Sequence, residues 1–204
     1  MSRAACMAAS LAAVVATVAP AVLEMPPLLL WNASASAPLG LYAIRKMAVP
    51  TAGALAVIEP PDKVARFAAE RGYLPLGVPM LKHIEGLPGS QVCRLSRVIT
   101  VDGRAVGTAL ERDRKGRALP VWQGCRVIAA AEIFVMNRKV KDSLDGRYFG
   151  PFPASSIVGA ALPLWTDERG DGHYTWLASG ELNFSPANKR KEIIHGRDRR
   201  LPQN

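Results

Sequence analysis

Arg3 is the only charged residue before Glu24, so residues 4 to 23 form an unbroken, mostly apolar run. As a helix such a run covers roughly 30 Å, enough for the hydrocarbon core of a bilayer. It is rich in alanine, and Ala19-Pro-Ala21 resembles a small-x-small cleavage site. An uncleaved anchor and a cleaved signal both follow from it, with the anchor favoured. In either case the positive N-terminus stays cytoplasmic and the rest is exported. Pro26-Pro27 ends any helix, and Leu28 to Trp31 forms a second apolar patch suited to a core or to a membrane interface. Ala54 to Glu59 reads as a strand. Pro61 to Arg71 reads as a short helix, with Val64, Phe67 and Ala68 on one face and Gly72 as its stop. From Gln91 onward the pattern is one of short strands. Cys93, Leu95, Ile99 and Val101 alternate, Asp102-Gly103 is a hairpin turn, and Arg104 to Val106 returns. Arg112 to Arg117 reads as a charged loop, and Arg126 to Met136 and Ser156 to Leu164 as further strands. The expectation is a mainly β body with one or two short helices, preceded by an N-terminal apolar helix. Three segments follow: a signal or anchor over 1–25, a catalytic domain over 26–180 and a basic tail over 181–204.

Composition adds little to the fold and more to the surroundings. With 204 residues, 49% hydrophobic and 21% charged, the chain can bury a core. The net charge of +9 is partly terminal, with six Lys/Arg against two Asp/Glu between Lys189 and Arg200. That run suits a solvated tail or anionic lipid. Basic residues are not interleaved with aromatics, so direct nucleic-acid binding is not expected. Cys6 lies in the apolar run. Cys93 and Cys125 either pair in an oxidising compartment or stand as two small core residues. No Cys-x-x-Cys or zinc-spaced His cluster occurs, so neither a metal nor another cofactor is expected.

The candidate chemistry lies in three places. Ser36 sits in Asn32-Ala-Ser-Ala-Ser36-Ala-Pro38-Leu-Gly-Leu-Tyr42, and Lys82 in Leu81-Lys82-His-Ile-Glu-Gly86-Leu-Pro-Gly89. A serine hydroxyl needs a base to take its proton, and none of His83, His173 and His195 stands in a triad context. Lysine can serve if apolar neighbours lower its affinity for the proton, and Val78, Pro79, Met80, Leu81 and Ile84 surround Lys82 in sequence. A surface lysine on a strand edge is the competing reading. In the third place Ser143, Asp145 and Arg147 alternate, so an extended strand would turn a hydroxyl and an ion pair to one face, where they could hold an amine.

These three segments resemble the serine, lysine and C-terminal boxes of the signal peptidase I superfamily, which works with a Ser–Lys dyad. The segments Asn32 to Tyr42, Leu119-Pro-Val-Trp-x-Gly-Cys125 and Pro163-Leu-Trp-Thr166 are most similar to its TraF branch, the conjugal transfer peptidases of plasmid mating systems. The resemblance covers about Trp31 to Thr166. It implies Ser36 as nucleophile and Lys82 as base, with the Ser36 N–H and the Ser34 hydroxyl as oxyanion hole. It further implies Ser143 as the group that orients Lys82, and Asp145 and Arg147 as supports, Asp145 with a more direct part in this branch. Two departures, Ala37 where housekeeping enzymes carry methionine and Val135-Met-Asn-Arg138 in place of Gly-Asp-Asn-Arg, point to a dedicated substrate. The function expected is a periplasm-facing, inner-membrane-associated serine endopeptidase or transpeptidase. It would mature, and in one outcome cyclise, the conjugative pilin precursor, alongside other mating-pair formation proteins. The alternatives are a general type I signal peptidase and a non-catalytic assembly subunit.

Overall fold

Strand-forming residues cluster in short apolar stretches separated by Gly and Pro turns, and the chain pairs them into two sheets. The computed structural model describes residues 2–22 and 28–177, with the side chains of 20–22 left aside. The basic tail and the Pro26-Pro27 break lie outside the described residues.

Helix α1 (Arg3–Val22) is the N-terminal element. Among the described residues no helix is long and apolar enough to cross a membrane.

The larger sheet is built on β1 (Leu29–Asn32), β2 (Leu39–Arg45), β3 (Leu55–Ile58), β4 (Met80–Gly86), β9 (Glu132–Val135), β10 (Phe152–Pro153) and β11 (Ile157–Asp167), in the order β1-β2-β11-β3-β4-β9-β10. The short β12 (Thr175–Trp176) adds to β11. The smaller sheet joins β5 (Gln91–Leu95), β6 (Val98–Val101), β7 (Arg104–Thr108) and β8 (Gly124–Val127) in the order β7-β6-β5-β8. The Asp102-Gly103 turn between β6 and β7 has both residues at positive φ, 48° and 76°, the geometry of a tight primed hairpin. The body is mainly β, as the pattern predicts. Helix α2 (Asp62–Glu70) buries Val64 and Ala68, and α3 (Gly146–Phe149) is a single turn.

Two expectations need correction. The run from Arg126 to Met136 is not one strand. It breaks at 128–131 into β8 and β9, which belong to different sheets. The Ser143–Arg147 segment is not a strand either. Ser143 lies in irregular backbone, and Asp145 caps α3 by accepting the Arg147 N–H, so a local carboxylate bond to the backbone overrides the polar alternation.

The core follows the sheets. Ala56, Ile58, Met80, Ile84, Ile133, Val135 and Phe152 pack on one face of the large sheet, while Tyr42, Leu55, Val57 and Leu81 pack on the other. Val92, Ile99, Ile128, Phe134 and Met136 fill the junction with the smaller sheet. There Cys93 and Cys125 stand opposite each other in the β5–β8 register and are joined by a disulfide across 32 positions. Closing a loop of that length is worth roughly 3–4 kcal/mol in the chain-entropy picture. Cys125→Ser is therefore expected to lower stability by about that amount in urea titrations of the oxidised protein. Equal midpoints for oxidised wild type and the variant would show the link to be unimportant.

Candidate active site

Ser36 lies in the turn joining β1 to β2, whose base is the Asn32–Gly40 pair. Asn32 braces this turn from within. Its buried Nδ2 donates to the carbonyls of Ser34 (2.9 Å), Ala37 (3.1 Å) and Pro38 (3.0 Å), and its Oδ1 accepts from the Ser34 N–H. Tyr42 closes the motif by donating its hydroxyl to the Pro38 carbonyl. Gly40 is needed because its φ is +139° and a Cβ there would come within 2.2 Å of the Trp165 carbonyl oxygen on β11. The sequence motif is thus a self-braced turn that presents Ser36 at partial exposure.

Lys82 sits in the middle of the sheet rather than on an edge. Strand β4 pairs with β3 on one side and β9 on the other, with Lys82 opposite Ala56. By strand alternation Lys82 shares a face with Met80 and Ile84, both core residues, and it is 3% exposed. Burial pushes its amine down from the ordinary 10.5 to about 8. The Asp145 carboxylate works against that fall and Arg147 adds to it. Its Nζ donates to Ser143 Oγ at 2.7 Å. The competing reading of an edge lysine does not apply.

The supporting residues form a buried network. Asp145 accepts from Arg147 Nε (2.9 Å) and Nη2 (2.8 Å), and from the Asn137 N–H. Arg147 also donates to the carbonyls of Asn137, Val140 and Lys141. Both side chains are almost wholly excluded from solvent. This pair therefore buttresses the loop leading to Ser143, and not a strand. Asp145 reaches Lys82 through its field, while its hydrogen bonds go elsewhere.

The structure brings Ser34, Ser36, Lys82 and Ser143 to the lining of one cavity of about 710 Å³. A second cavity, of about 860 Å³, also has Ser36 in its wall, so a cleft extends from this residue in two directions. Ser36 Oγ shares a hydrogen bond with Ser34 Oγ (2.9 Å), and the Ser36 N–H points at the same hydroxyl (3.3 Å). In this state the two expected oxyanion donors face each other. Lys82 is turned to Ser143, and no hydrogen bond joins it to Ser36 among the described residues.

Asn137 stands in the Val135-Met-Asn-Arg138 motif, which carried no role for it. Its buried side chain donates to the Ser36 carbonyl (2.5 Å) and the Leu81 carbonyl (3.0 Å), and accepts from the His83 N–H (3.1 Å). One amide thus spans the serine turn and the lysine strand. The signal for it in the sequence is its place in Asn137-Arg138, the remnant of a box whose other residues changed. His83 lies on β4 with its Nδ1 against Asn137 Oδ1, a strand residue.

A mainly β body with a braced serine, a buried amine and a hydroxyl beside that amine in one cleft defines a member of the serine peptidases. The chain belongs to the signal peptidase family, peptidase S26, whose sequence profile matches residues 2–165. It is 34% identical to a conjugal transfer protein TraF of Agrobacterium fabrum, over 66% of this chain and 81% of that protein. It is 31% identical to a plasmid transfer protein TraF from Escherichia coli, over the same shares. A solved signal peptidase I from Enterococcus faecalis aligns with 58% of this chain and 98% of its own, at 18% identity and a TM-score of 0.34.

Asn137→Ala is expected to lower kcat on a peptide substrate by roughly 10²-fold with little change in KM, because a site group displaced by about an ångström costs that much. Asn137→Asp keeps the acceptor for His83 and loses both donors, so it should fall as far. A wild-type kcat in the Asp variant would show that the two carbonyl contacts are dispensable.

Proposed function

We propose that this protein is a Ser–Lys endopeptidase of plasmid conjugal transfer that matures the conjugative pilin precursor through an acyl-enzyme. The observation that carries the reading is the buried Lys82 amine, bonded to Ser143 and poised to be partly unprotonated near neutral pH, on the wall of the cavity that holds Ser36. The TraF names of the relatives supply the biological setting.

The chemistry runs as follows. Lys82 Nζ takes the Ser36 hydroxyl proton as Oγ attacks the scissile carbonyl carbon. The oxyanion is met by the Ser36 N–H and the Ser34 hydroxyl once the latter has turned. The intermediate collapses, the C–N bond breaks and Lys82 returns the proton to the leaving amine. An acyl ester on Ser36 remains. Water resolves it to a shortened pilin, and the pilin's own N-terminal amine resolves it to a cyclic one. Clefts on both sides of Ser36 suit a substrate that continues past the cut, and Ala33 and Ala35 beside it suit a small residue before the bond.

We place the protein in the periplasm against the inner membrane, next to other mating-pair formation components. Trp31 on β1, Trp165 on β11, Trp176 on β12 and Tyr174 just before β12 pack together, with ring centroids of contacting pairs 4.8 to 6.2 Å apart. Trp31, Trp176, Leu28, Leu29 and Leu177 stay exposed around them. An aromatic and leucine face of this kind favours a lipid interface. Fractionation solely with the cytosol would refute the location.

Intact-mass measurement of the co-expressed pilin precursor, with wild type and with Ser36→Ala, tests the activity. A processed mass that requires Ser36 supports it, and identical unprocessed pilin in both favours a non-catalytic assembly subunit. The amine also sets the pH dependence. Since Lys82 must be neutral to act, kcat/KM is expected to fall about tenfold per pH unit below about 8. A profile that rises only near the ordinary lysine value would contradict a buried base.

A further inference from the structure

The 710 Å³ cavity has a mixed lining. Besides Ser36 and Lys82, apolar side chains line it, among them Leu74, Met80 and Leu119. So do four cations, Arg71, Arg114, Lys115 and Arg117, and two acids, Asp113 and Asp142. Both acids are already engaged. Asp113 accepts Arg117 Nε (2.7 Å) and the N–H groups of Lys115 and Arg117, as well as the Tyr73 hydroxyl. Asp142 pairs with Arg114 at 2.5 Å. That leaves Arg71 and Lys115 with no carboxylate partner among the described residues.

Lys115 lies on the charged loop 112–118, which is turned by the Arg112–Ala118 bridge and by bonds to Asp113. Arg71 is held by its bond to the Ala118 carbonyl (2.7 Å) and by lying over the Phe67 ring at 4.4 Å. Its charge is therefore presented to the cavity at little cost in side-chain freedom. Two uncompensated cations in a partly apolar lining form a site for a chain that is apolar along one stretch and anionic at one point.

We propose that Arg71 and Lys115 form a subsite for an acidic side chain of the peptide substrate, a few residues from the cleaved bond. This rests on reading Ser36 and Lys82 as the cleavage site, because the same cavity holds all four residues. The subsite supplies register. The apolar lining accepts many sequences, whereas one Asp or Glu at a fixed distance from the bond sets which peptide bond reaches Ser36.

The test uses decapeptides with a central Ala and a single Glu moved through the positions on either side of it, each with a Gln twin. Binding to Ser36→Ala protein is read by fluorescence anisotropy and cleavage by wild type. One Glu position should bind about five- to tenfold tighter than its twin, as expected for partly desolvated charge pairs, and the gap should shrink as salt is raised. Lys115→Glu should erase the preference at that position, and Lys115→Gln should reduce it. Equal binding of every Glu and Gln pair overturns the subsite. So does a Lys115→Glu effect confined to binding of vesicles containing anionic phospholipid, since the cations would then face lipid. Wild-type protein that cuts none of the peptides overturns the Ser36–Lys82 reading, while the anisotropy arm still decides the subsite on its own.

Discussion

Lys82→Met is expected to abolish peptide-bond cleavage and to make the protein more stable at pH 7. The two effects have one cause. An ordinary lysine holds its proton to about 10.5, but burial among Met80 and Ile84 brings Lys82 to about 8. At ~1.4 kcal/mol per pH unit, keeping this charged amine inside the fold costs about 3 kcal/mol at neutral pH. The sign follows from proton counting. Between about 8 and 10.5 the unfolded chain binds the proton more firmly than the folded one, so wild-type stability rises with pH across that window and the cost is complete below it. Methionine fills similar volume without charge and removes the cost, less whatever the bond to Ser143 contributes. Activity should meanwhile fall by 10³-fold or more, because a nucleophile and its base act as a unit. Ser36→Ala should match that loss with no stability gain. Urea titrations at pH 7 and pH 10, with a cleavage assay alongside, check both. A Lys82→Met protein that is inactive and less stable at pH 7 would mean that the amine is not held at a cost.

Asp145→Ala should have the largest effect on folding. Asp145 is fully buried and takes four hydrogen bonds, two of them from the Arg147 side chain. Removing it leaves a buried guanidinium without a counter-charge, a loss of about 3–5 kcal/mol. It also releases the Asn137 N–H, so whatever folded protein remains should have reduced kcat. Asp145→Asn keeps the shape and one acceptor oxygen but loses the charge and turns the second oxygen into a donor, and should lie between. A wild-type denaturation midpoint for Asp145→Ala would show the pair to be incidental.

Much of the site was legible in the chain because its pieces are local. Asn32 to Tyr42 is a turn with its own braces, and the apolar neighbours of Lys82 made a depressed amine one of its two readings. What escaped was non-local or governed by capping. Ser143 to Arg147 alternates like a strand, yet Asp145 spends its carboxylate on the Arg147 N–H and starts a helical turn. Arg126 to Met136 is continuous in hydropathy, and nothing in its composition marks where it leaves one sheet for the other. The reach of Asn137 to Ser36 spans 101 positions, beyond any periodicity. The N-terminal run reads as a span, yet among the described residues no helix is long and apolar enough to cross a membrane.

The Asn137 bridge also bears on when the site comes into being. The serine turn is made early in synthesis and the residue that ties it to the lysine strand a hundred positions later. Contacts this distant in sequence form only after the intervening loops have closed, near the end of folding. A chain still being made thus carries Ser36 and its braced turn but not the amide that ties the turn to the Lys82 strand.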